Sequence, residues 1–284
     1  MSPRLTLRIN LERIYAITTK AVTRTAVFIG LGLNAARDPE FKKYELQGIT
    51  HFQMLPENLP DETVEHFKEE FYRWVVANGL RDLSEAFSLY LDQIFEACAI
   101  ASAKGSVSNL KGISAEVGKF SLQGLPNKLN VLKQKFGVIA ANQPNLKSLN
   151  KARSILAHRQ GVVALGDCGK DGFFRVTWVG LDATLETPIG EVHDALRVPE
   201  GGIFLPEGGQ ITVHTVERMR AFRAGEVIAL NATDLAEICW NMQGAAAEIR
   251  DSSIAFFRKV GIALNEMAGP GRAGVAEDDG REDA

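Results

Sequence analysis

Between Asn231 and Val260 the apolar residues Leu235, Ile238, Met242, Ala245, Ile249, Phe256 and Val260 recur at helical spacing over about seven turns. A helical face this long and this apolar has to be covered by other helices. Asn231-Ala232-Thr233-Asp234 supplies a helix cap at its start. The helical patterns that can receive it all lie before Gly161, and a β-rich stretch intervenes. The pattern therefore predicts a mainly α fold, α+β overall, in which a helical bundle is interrupted by a β-rich insertion before the last long helix.

Taken in order, Leu5, Leu7, Ile9 and Leu11 alternate with polar residues and suggest a strand or an extended arm. From Leu11 the pattern becomes helical through Ile14, Ile17, Ala21 and Phe28 towards Asn34, weakened by Gly30 and Gly32, and a long connection follows from Arg37 to Leu59. Pro60-Asp61-Glu62 opens a helix through Val64, Phe67, Phe71, Trp74 and Val75, with a break or kink expected at Asn78-Gly79. Leu80, Leu83, Phe87, Leu91, Ile94 and Cys98 mark the next helical face, and Glu85, Asp92 and Glu96 line up opposite it. That acidic stripe suits a solvated face, or the orientation of a neighbouring histidine. Lys104 to Gly124 reads as a flexible basic loop holding at most one short helix, after which Leu125-Pro126 and Gln143-Pro144 open two more helices.

At Gly161 the period changes. Strands are expected at 162–165, 173–179 and 226–230, with short ones near 203–205 and 211–213. Pro199-Glu200-Gly201-Gly202 recurs as Pro206-Glu207-Gly208-Gly209; neither copy is followed by Lys-Ser/Thr or opens a helix, so both read as turns. His193 and His214 have no acidic or cysteine partner at ligand spacing, so no metal and no cofactor is assigned. The expected organisation is an N-terminal arm and helix over 1–59, a helical bundle over 60–160, the β-rich insertion over 161–230, the returning helix over 231–266 and an acidic, disordered tail over 267–284.

The chain carries a formal net charge of −3, yet from Lys104 to Gln160 ten cations face the single acid Glu116. A basic block inside an acidic protein is the electrostatic footprint of a nucleic-acid surface, although a solvated lysine-rich face has the same composition. Lys128, Lys133, Lys135, Lys147, Lys151 and Arg159 are the candidate RNA-binding residues. Cys98, Cys168 and Cys239 are too few and too scattered for a disulfide framework or a zinc cluster, and suit a reducing cytoplasm. The start has no secretory pattern, and the longest apolar run, Ala21 to Leu33, contains Arg24 and is too short to span a bilayer. A soluble, cytoplasmic protein with no membrane partner is expected.

The chemistry is concentrated in Lys151-Ala152-Arg153-Ser154-Ile155-Leu156-Ala157-His158-Arg159-Gln160-Gly161-Val162-Val163. RNA cleavage needs a base near neutral pH for the ribose 2′-hydroxyl, an acid for the leaving oxygen, and a fixed cation at phosphorus. His158 suits base or acid, and the planar fork of Arg153 suits phosphate oxygens. Arg153 falls in or beside the apolar stripe of its helix, where a cation needs a reason. Five residues at about 100° each set the two side chains about 140° apart, so one helix holds them badly around one phosphate. A two-fold dimer would supply two of each.

At Arg153 and His158 the sequence resembles the HEPN family, whose signature is an arginine, four to six residues, and a histidine. The continuation His158-Arg159-Gln160-Gly161-Val162-Val163 is similar to the ending of many bacterial HEPN-like proteins. The resemblance covers roughly Asp61 to Val163, with the last helix as a further candidate part of it. It implies an α-helical bundle and, in active members, a metal-independent endoribonuclease whose site is shared between two protomers, with Arg153, His158 and Ser154 as the catalytic residues. Ser154 stands where the family usually has asparagine, aspartate or histidine. The resemblance also implies RNA as partner, a homodimer, a role as a toxin or in defence, and an antitoxin or regulatory protein as a further partner. Two other readings use the same residues: a non-catalytic RNA-binding or scaffold protein, and a structural dimer that meets only protein.

Overall fold

The computed structural model describes residues 8–41, 59–103, 107–194 and 208–263. Within them run six helices, α1 (Leu11–Arg37), α2 (Asp61–Ser102), α3 (Val107–Ser121), α4 (Leu125–Phe136), α5 (Gln143–Arg159) and α6 (Ala232–Lys259), and three strands, β1 (Phe173–Glu186), β2 (Val192–Asp194) and β3 (Gln210–Arg223). The strands form an antiparallel sheet in the order β2-β1-β3. The protein is thus mainly helical with a small sheet between α5 and α6.

Helix α2 is the axis of the core. Its residues Phe87, Tyr90, Leu91, Ile94, Phe95 and Cys98 are fully or almost fully buried. The break expected at Asn78-Gly79 does not occur, and α2 runs through it for 42 residues. The glycine serves packing here: a Cβ at Gly79 would lie 2.6 Å from Ile29 Cδ1, and one at Gly32 would lie 2.7 Å from Val75 Cγ2. Two glycines therefore let α1 and α2 approach closely. The pair runs antiparallel, as Arg24–Asp82 and Lys68–Asp38 contacts at opposite ends require.

Helix α6 begins with a reciprocal cap, Asp234 N–H to Asn231 Oδ1 at 2.8 Å and Asn231 N–H to Asp234 Oδ2 at 3.0 Å. It packs on α2, where the buried Tyr90 hydroxyl donates to Ala246 O at 2.7 Å, and on α1, where Arg250 lies 4.7 Å from the Tyr15 ring centre. The stretch expected to be a flexible loop contains the 15-residue helix α3. Phe120 anchors it by stacking on Phe95, with ring centres 4.0 Å apart. Gly112, Gly118 and the serines dilute its helical pattern but leave its anchor in place.

Beyond α5 the expected strands at 162–165 and 226–230 reduce to one isolated bridge, Val162 with Val227, followed by a short 3-10 turn at Leu165–Asp167. The sheet itself is longer than its apolar signal. β1 and β3 pair without a slip from Phe173↔Arg223 to Glu186↔Gln210. Phe174, Val176, Trp178 and Gly180 alternate inwards from β1, against α5 and α6. Arg218 and Arg220 face Trp178 and Val176 across the ladder and reach α6, Arg218 to Glu237 at 3.3 Å and Arg220 to Asp234 at 3.0 Å. Charges on the inner face are why only Ile211 to Val213 of β3 reads as a strand. Leu5 and Leu7, most of the connection after Arg37, the segment 203–205, the first Pro-Glu-Gly-Gly turn and the acidic tail lie outside the described residues. No helix among the described residues is long and apolar enough to cross a membrane.

Candidate nucleic-acid interface

Helix α5 buries Asn145, Leu146, Leu149, Ala152, Ile155 and Leu156. This face is held on the sheet by Ser148, whose hydroxyl accepts from Thr177 N–H at 2.9 Å, and it fixes where the motif residues point. Arg153 sits at its edge, a quarter exposed, and one guanidinium nitrogen donates to Glu85 Oε1 on α2 at 3.3 Å. The same carboxylate accepts from Arg81 Nε at 2.8 Å. Arg153 Nε is buried with no hydrogen-bond partner, so the guanidinium is oriented but not saturated. Glu85 belongs to the acidic stripe, and what it orients is the arginine of its own chain.

His158 lies in the last turn of α5, exposed. It has no hydrogen-bond or ion-pair partner among the described residues. The two motif residues therefore occupy different flanks of the helix, as 140° of separation demands, and one copy of the chain does not bring them together. Ser154 donates to Asn150 O at 3.1 Å, one turn back in the same helix. Its hydroxyl hydrogen is engaged locally.

The basic block divides sharply. Lys128, expected to bind RNA, is 1% exposed: its ammonium donates to Ser88 Oγ at 2.8 Å and lies 2.7 Å from Asp92 Oδ1. The second contact is off the line of a hydrogen bond, so it is charge on charge. Lys128 belongs to the core and is withdrawn from the interface. Lys133 is exposed, without a partner among the described residues. Lys135 pairs with Glu116 and lies 5.2 Å from the Phe95 ring centre. Lys147 donates to Asn130 Oδ1 at 3.2 Å and is half-buried. Lys151 donates to Asp167 O at 2.8 Å, and Arg159 pairs with the Asp167 carboxylate at 2.6 Å.

Asp167 was not legible as part of this surface, because it comes from the turn after the motif and shares no period with α5. Burial pushes its carboxyl up, but the Ala164 N–H and the Arg159 guanidinium outweigh that and hold it below the usual carboxylate range. A depressed carboxyl stabilises the fold above its unfolded value and loses that contribution as pH falls through the folded one. The Arg159–Asp167 clasp is therefore intact at neutral pH and opens only in acid. Burial pushes the Cys98 thiol up to about 12 and that of Cys239 to about 11, so both are protonated and poor nucleophiles at neutral pH. Among the described residues no three His, Cys, Asp or Glu side chains gather where they could hold a metal ion.

No family model, no curated protein and no solved structure matches the chain.

Proposed function

We propose that the chain is a HEPN-like, metal-independent endoribonuclease that cleaves single-stranded RNA by 2′-hydroxyl attack at a site shared by two copies. The observation that carries this reading is the asymmetry within the motif. Arg153 is held by Glu85 with one N–H still unsatisfied, whereas His158 projects from the same helix with no partner among the described residues. A histidine and an arginine from two copies would meet at one phosphate as they cannot within one. One histidine takes the 2′-hydroxyl proton, O2′ bonds to phosphorus, and the 5′-oxygen leaves with a proton from the second histidine. Arg153 balances the charge on the phosphoryl oxygens. A cytoplasmic toxin or defence protein, held in check by an antitoxin or regulator, is the setting that belongs with this proposal, and the free thiols suit it.

A second reading is favoured by the Arg153–Glu85 pair itself, since a carboxylate on the guanidinium competes with phosphate. On that reading the protein retains RNA without cleaving it. Incubation with single-stranded RNA in excess chelator separates the two: fragments ending in 2′,3′-cyclic phosphate support the nuclease, and retention of intact RNA supports the binding protein.

The interface makes a further prediction for both. Asp167→Asn should release Arg159 from its clasp, tighten RNA binding, and steepen the logarithmic salt dependence by about 0.7 if one more phosphate contact forms. A filter-binding series across salt reads both quantities. Unchanged affinity and slope would place the RNA away from this end of α5.

A further inference from the structure

We propose that the exposed apolar face of the α1/α2 pair is the surface on which a second copy of this chain docks. α1 presents Val27, Phe28 and Leu31, and α2 presents Phe67, Phe71 and Trp74, all between 38% and 65% exposed. Their spacings, i, i+1, i+4 and i, i+4, i+7, make a ridge on each helix. Between the ridges runs a groove of about 610 Å³ floored by Ile29, Gly32, Val75 and Gly79. Phe71 and Trp74 stack on one another with ring centres 6.1 Å apart, in solvent. With about 200 Å² to an aromatic side chain, the six residues expose on the order of 600 Å². That is at the upper limit for a monomer's largest patch, and with a charged rim it approaches the roughly 800 Å² per partner of a stable complex.

The occupant follows from shape and charge. Two antiparallel helices with parallel apolar ridges and a groove between them are half of a four-helix bundle, and another such pair completes it. The rim alternates in sign, with Arg24 beside the half-buried Asp82 at 2.5 Å and the exposed Arg81 beside the exposed Glu85 at 2.8 Å. A rim carrying both signs can be matched by its own copy turned about a two-fold axis. RNA fits poorly here, because α2 leads into the groove with exposed Glu62, Glu65, Glu69 and Glu70. Glu85 also holds Arg153, so a two-fold at this groove brings both motif arginines to the margin of the interface. This deepens the shared-site reading and rests on it for its functional meaning; the surface itself is argued from its exposed residues.

Sedimentation of the full chain over a concentration series tests the surface. The wild type should reach twice its 31.0 kDa mass, and Phe28→Glu/Trp74→Glu should weaken the dimer at least 100-fold with its circular dichroism unchanged. Leu31→Arg, on the same ridge, carries the same expectation if the double variant does not fold. A wild type that stays monomeric overturns the proposal, as does a folded variant that dimerises as before. RNA cleavage measured on the same samples keeps the two readings apart. A wild-type dimer that these changes break but that leaves RNA intact upholds the surface and removes the nuclease, and a wild type that is monomeric yet cleaves RNA removes both the surface and the shared site.

Discussion

Lys128→Ala should destabilise the protein by about 3 kcal/mol, the lower end of what removing one partner of a buried ion pair costs. The change strands Asp92, which is only 15% exposed, and removes a hydrogen bond to Ser88 and an ammonium 5.7 Å from the Phe120 ring centre. Denaturant midpoints will measure the loss. Lys128→Met/Asp92→Leu should recover most of it, because a well-packed apolar pair replaces two desolvated charges. RNA affinity per folded molecule should be the same in wild type and Lys128→Ala. A variant of undiminished stability with weakened RNA binding would return Lys128 to the interface.

His158→Ala should lower the cleavage rate by a factor of about 10² to 10⁴, the usual contribution of a general acid or base. Because His158 is exposed and unpaired among the described residues, the melting curve should not move. Arg153→Ala should cost about 3 to 4 kcal/mol of transition-state stabilisation. Glu85 is half exposed and keeps Arg81, so this change too should leave the fold standing. Both effects are read from single-turnover rates in chelator. Full activity in both variants would remove the motif from the chemistry.

Much of the helical framework was legible because capping and periodicity are local. Asn231 and Asp234 announced the start of α6, Pro60 and its acids that of α2, and Gly137, with φ of 70°, closes α4 where the apolar period stops. The failures share one cause, which is that a side chain's role depends on its neighbour in space. Gly79 reads as a breaker along the chain but meets Ile29 across a helix pair. β3 shows only a short apolar signal at 211–213, because Arg218 and Arg220 further along it pair with α6 acids. Lys128 counts as one more surface cation until α2 places Asp92 and Ser88 beside it. The divergence of Arg153 and His158, by contrast, followed from their spacing alone. Their surroundings did not, since Glu85 lies 68 residues away and Asp167 beyond the helix end.

Subunit mixing tests the shared site most directly. Wild-type chains exchanged with a large excess of His158→Ala chains will sit almost entirely in heterodimers, each with one good histidine. If base and acid come from different copies, activity per wild-type chain should fall towards zero as the excess grows. Full activity per wild-type chain, after exchange has been verified, would show that one copy carries out the reaction alone.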